Sequence, residues 1–156
     1  VQFPALDAKS LQGVTKRLPD DLPAERTLLL LAFRQWQQRQ VDAWIVKAAE
    51  AGWAPDLSTA TGPVRRAVIE VPCLARHWSI GRAVIDGGMA RSIGIPEVLA
   101  RTWTAYADVG RVQRALGIAS SDNIWVGVLA PTGDVVVEAF GDPTPASWDA
   151  VAQGMA

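Results

Sequence analysis

The sequence predicts an α/β chain in three layers, α/β/α, with one central mixed sheet and the order β-α-β, helical middle, β-hairpin, α. Residues 27–33 form a short, continuous apolar run, the pattern of a strand buried on both faces. Directly after it, Val41, Trp44, Ile45 and Ala48 recur at helical spacing and share one stripe. Towards the C-terminus, residues 123–130 and 134–140 are apolar β-type runs joined by Pro131-Thr132-Gly133. A glycine there supplies the positive φ that a tight antiparallel turn requires.

In chain order, residues 1–25 carry Pro, Asp and Leu without a helical period and read as an extended lead-in with turns at Pro19 and Pro23. The strand at 27–33 follows, then a helix over 35–51 with Gly52 as its C-terminal stop. Residues 55–63 are a loop by composition, and 64–71 alternate as a second strand ending at Pro72. Strand, helix, strand implies a parallel, right-handed crossover. Helices are expected over 81–91, weakened by Gly87 and Gly88, over 96–107 with Pro96 at its first position, and over 111–116. Thr144 before Pro145 is a good N-cap and first-turn pair that opens a last helix through Trp148 and Val151.

With 156 residues the chain is sized for one domain, 1–156, which can bury roughly 70% of the surface its extended form exposes. About half of its residues are hydrophobic and a fifth charged, a globular balance. A net charge of -1 removes the electrostatic case for nucleic acid, which needs a surplus of Lys and Arg. The longest apolar run falls far below the ~20 residues of a membrane helix, so no transmembrane segment is expected. The first residue is Val1 rather than Met, consistent with a processed precursor or a trimmed chain, and the compartment, cytoplasm or envelope, stays open. One cysteine and one histidine exclude a disulfide framework and a zinc site of Cys and His ligands, and no cofactor or metal is implied.

That element order, with the lead-in Phe3-Pro4 and Leu18-Pro19-Asp20-Asp21-Leu22, resembles the thioredoxin-like superfamily over nearly the whole chain. Gly133 and Gly141 stand where that superfamily usually places glycines. Laid on the resemblance, Trp36-Gln37-Gln38-Arg39-Gln40 falls on the Trp-Cys-x-x-Cys motif, so Gln37 and Gln40 replace both redox cysteines. The cis-proline that faces the dithiol in the family would lie near Trp125, a second departure. A thioredoxin cysteine reacts as thiolate, favoured by the helix N-terminus, and a carboxamide cannot act as that nucleophile. The segment from Arg34 to Trp44 also looks like the cysteine-free first helix of a mitochondrial ATP synthase assembly-factor family, which implies a chaperone-like role without turnover.

The resemblance therefore implies a non-catalytic binding or assembly protein that holds a protein partner at Arg34, Trp36, Gln37, Gln38, Gln40 and Trp125. Free backbone N–H groups at a helix start, beyond the carboxyl end of a strand, are where open α/β sheets hold ligands. The plainer reading of the glutamines is a solvated first helical turn. The competing class is an enzyme, a single-cysteine peroxidase or thiol transferase through Cys73 with His77 as a base, although most free cysteines are small buried hydrophobes. Asp86, Arg91, Arg101, Tyr106 and Asp108 form a polar cluster between two helices in this reading, most simply as ion pairs. Seven tryptophans, among them Trp36, Trp53, Trp78 and Trp125 near element ends, are core rim or partner anchors, and homodimerisation through a sheet edge is a third reading.

Overall fold

The computed structural model describes residues 1–74 and 95–156. The strands are β1 (Leu6–Ser10), β2 (Thr15–Leu18), β3 (Ala24–Ala32), β4 (Val64–Leu74), β5 (Trp103–Tyr106), β6 (Trp125–Leu129) and β7 (Val135–Phe140). The helices are α1 (Gln38–Glu50), entered through a 3-10 turn at Gln35–Gln37, α2 (Pro96–Arg101), α3 (Val109–Leu116) and α4 (Pro145–Met155). One sheet runs in the order β2-β1-β5-β4-β3-β6-β7, with β3 parallel to β4 and antiparallel to β6. The predicted mixed sheet between helices is thus present.

The unbroken apolar run of β3 follows from its place at the centre of this sheet. Alternate side chains enter two cores: Leu28 and Leu30 pack with Val41 and Trp44 of α1 and Val151 and Met155 of α4. Leu29 and Leu31 pack on the other face with Val112 and Leu116 of α3, Phe3 and Trp125. A residue period of two therefore carries the apolar side chains of Leu28 to Leu31 to both layers. The last helix starts as expected, Thr144 Oγ1 accepting a hydrogen bond from Ser147 N at 3.1 Å, with Pro145 in the first turn. Gly133 takes φ +91° in the β6–β7 turn, and Gly52 takes φ +80° after α1.

Three expectations are corrected. Residues 1–25 are not a plain lead-in: β1 and β2 pair antiparallel, and β1 also pairs with β5. The helix expected over 96–107 stops at Arg101, because Trp103, Thr104, Ala105 and Tyr106 are taken up as β5 between β1 and β4, where both backbone edges find partners. Strand β4 does not end at Pro72 but continues to Leu74. Pro72 stands opposite Ala32, the last residue of β3, so its missing N–H falls at the end of that ladder rather than in its middle. The helix expected over 81–91, together with His77, Trp78, Asp86 and Arg91, lies outside the described residues.

Candidate functional site

The chain leaves β3 through Phe33 and an extended Arg34 and enters the 3-10 turn before α1. Gln37 is fully buried there. Its Oε1 accepts hydrogen bonds from Phe33 N at 2.8 Å and Arg34 N at 3.1 Å, and its Nε2 donates to Ser121 O at 2.5 Å. Gln40, one turn on, is also buried; its Oε1 accepts from Ile124 N at 3.0 Å and its Nε2 donates to Asn123 Oδ1 at 2.9 Å. A carboxamide carries donor and acceptor on one plane, so Gln37 satisfies nearby backbone on one side and clamps the 121–124 segment on the other, while Gln40 spends both groups on that segment. Together they fasten the first turns of α1 to the 121–124 segment that leads into β6. Trp44 Nε1 extends the seam by donating to Gly141 O at 2.7 Å.

Arg34, Gln35 and Trp36 are exposed beside this seam, Trp36 to 51%. Gln38 is half-buried and lies over Glu70 of β4: its Nε2 donates to Glu70 Oε1 at 3.1 Å and to Asp42 Oδ1 at 2.9 Å. Glu70 is only 5% exposed, and its second oxygen accepts from Arg101 Nε at 3.3 Å, an ion pair between β4 and α2. Burial pushes the Glu70 carboxyl above the usual carboxylate range, against the opposing pull of the Gln38 hydrogen bond and the Arg101 charge. Leu30, Ala32 and Val41 floor a shallow cleft rimmed by Arg34, Gln35, Gln38 and Glu70, with a volume of about 40 Å³. That is well below the ~300 Å³ and more of a drug-sized ligand pocket, and suits the tip of a side chain.

The structure therefore brings Arg34, Trp36, Gln37, Gln38 and Gln40 to one corner but turns Gln37 and Gln40 inwards. The solvated first turn expected of Gln37 and Gln40 is not found, because each amide replaces water with three or two protein partners. Trp125 is fully buried on the opposite face of the sheet, its indole lying over Gly127 and its Nε1 donating to Glu138 Oε2 at 3.0 Å. Cys73 is likewise buried on that opposite face, and desolvation pushes its thiol up to about 11 although Arg111 pulls the other way. Of the expected polar cluster, Arg101 pairs with Glu70, Asp108 caps α3 by accepting from Arg111 N at 3.2 Å, and Tyr106 stands on a strand. Glu70 was not anticipated. Its signal is legible: one carboxylate inside the run Ala67-Val68-Ile69-Glu70-Val71. Among the described residues, no helix is long and apolar enough to cross a membrane.

No protein-family model matches this chain, and no curated protein matches it. Solved structures do. The thioredoxin domain of a thiol-disulfide oxidoreductase from Bacteroides vulgatus superposes with a TM-score of 0.61 at 12% identity, covering 100% of this chain and 96% of that one. A thiol:disulfide interchange protein of the thioredoxin family from Chlorobium tepidum gives 0.58 at 12% identity, covering 100% and 97%. StoA from Bacillus subtilis gives 0.54 at 12% identity, covering 97% and 95%. At such identities the likeness is one of fold.

Proposed function

From the premise that the chain has the thioredoxin-like fold, we propose that it is a one-domain, non-catalytic binding or assembly protein of chaperone type. It holds a segment of a protein partner at the cleft beside the start of α1. The observation that carries this reading is the burial of Gln37 and Gln40, the residues the resemblance lays on the dithiol positions: the amide of Gln37 is consumed in hydrogen bonds to Phe33, Arg34 and Ser121, and that of Gln40 in hydrogen bonds to Asn123 and Ile124. What remains open to a partner is Arg34 and Gln35 on the rim, with Gln38 and Glu70 at the cleft wall and exposed Trp36 next in sequence to Gln35. Half-exposed Trp36 supplies an aromatic anchor of the kind enriched in interface hot spots.

The competing reading, peroxidase or thiol-transferase chemistry through Cys73, asks for an accessible thiolate. A buried thiol raised to about 11 supports it poorly. Two measurements test the proposal together. The protein is expected neither to reduce insulin disulfides nor to consume peroxide, and turnover that disappears in Cys73→Ser would overturn the reading. On an array of extended peptides, binding by the wild-type chain is expected to fall in Trp36→Ala and Arg34→Ala; equal binding by all three proteins removes the cleft from consideration.

A further inference from the structure

We propose that Arg26, Arg65 and Arg66 form a binding site for a phosphate-class oxyanion, at the end of the sheet opposite the α1 cleft. Arg26 of β3 and Arg66 of β4 are direct Cα partners in the parallel ladder, and Arg65 is the next residue along. Side chains directly opposite in a ladder lie close together, and like charges so placed repel. Two further features make this pair unusual in the molecule. Arg17 and Arg101 each have a carboxylate within salt-bridge distance, whereas among the described residues none of Arg26, Arg65 and Arg66 has one. The partners they do have are backbone carbonyls: Arg66 Nε donates to Met155 O at 2.5 Å and Arg26 Nη1 to Glu25 O at 2.9 Å.

The bond to Met155 explains part of the arrangement, since a cation at the last turn of α4 complements the helix dipole. It accounts for one guanidinium of three. Each guanidinium carries five N–H donors, so most of the donor capacity of the group is still available. Arg26, Arg65 and Arg66 border one depression of about 280 Å³ that Glu25, Pro131, Met155 and Ala156 also line, so one side-chain carboxylate stands there against three guanidiniums. An oxyanion with several oxygens accepts fork contacts from two guanidiniums at once, and it removes the repulsion between Arg26 and Arg66 that the register imposes.

Titration of the ¹⁵N-labelled protein with inorganic phosphate at constant ionic strength, followed by NMR of the arginine Nε–H groups, tests the site. Saturable shifts of Arg26 and Arg66 are expected, weakened about tenfold or more in Arg26→Gln/Arg65→Gln. Shifts that rise without saturation, or that are equally strong in the double variant, overturn the proposal. Arg65 is exposed, so Arg65→Gln alone keeps the test available if the double variant fails to fold. A phosphoserine peptide binding through the same residues more tightly than inorganic phosphate identifies a protein-borne phosphate as the ligand; weaker peptide binding identifies the free anion.

Discussion

Glu70 and Cys73 stand three residues apart on β4 yet face different layers, and each is displaced from its ordinary titration by the same cause, loss of water. For Glu70 the folded chain holds its proton more tightly than the unfolded chain does. Its contribution to stability is therefore complete below the ordinary value of 4.5 and is lost as pH rises from there through the raised folded value. Glu70→Gln is expected to flatten that fall, because the amide keeps the shape without the charge. Urea unfolding midpoints across that range check it, and an unchanged slope contradicts the assignment. For Cys73, a thiol near 11 is thiolate only about one part in a thousand at pH 8. Iodoacetamide is expected to label it slowly in the native protein and at the rate of an ordinary thiol in urea, read by mass spectrometry.

Among elements, the joint between α1 and the segment before β6 matters most, because buried side-chain hydrogen bonds from Gln37 and Gln40 hold it together. Gln40→Ala leaves Ile124 N–H and Asn123 Oδ1 without their partner in a buried place. A cost of about 1–3 kcal/mol is expected, seen as a lower denaturation midpoint together with faster hydrogen exchange at the Ile124 amide. A variant with full stability and unchanged exchange would show that the seam is idle. The helix itself was legible in the sequence, since Val41, Trp44, Ile45 and Ala48 announce its stripe: Val41, Trp44 and Ala48 are buried, and Ile45 is partly buried against the same core. The orientation of its first turn was not: Gln37 and Gln40 look like solvent-facing polar residues until segments more than eighty positions away are brought to them.

At the scale of the whole molecule, the first residues of the chain meet the β6–β7 hairpin. Phe3 is buried with its ring centroid 5.9 Å from that of Trp125, Phe3 N donates to Gly133 O at 2.8 Å, and Val135 N donates to Val1 O at 2.8 Å. The opening residues thus brace the β6–β7 hairpin rather than trailing from it. Phe3→Ala is expected to cost about 3–5 kcal/mol, as for other large aromatic truncations in a core, and to lower the thermal midpoint measured by circular dichroism. A loss below about 1 kcal/mol would mean that the N-terminal residues contribute little to the fold.

The sequence by itself determined those features whose cause is local. β3 follows from one apolar run, the β6–β7 turn from Pro131-Thr132-Gly133, and the start of α4 from Thr144-Pro145, because periodicity, a positive-φ glycine and a cap each act within a few residues. Only the tertiary structure decided that Trp103–Tyr106 is a strand, that β1 and β2 join the sheet, that Gln37 and Gln40 face inwards, and that Glu70 meets Gln38 and Arg101. Each of these depends on backbone or side-chain partners distant in the chain. A short segment such as Trp-Thr-Ala-Tyr satisfies helix and strand patterns equally until two neighbouring strands offer it hydrogen bonds on both edges.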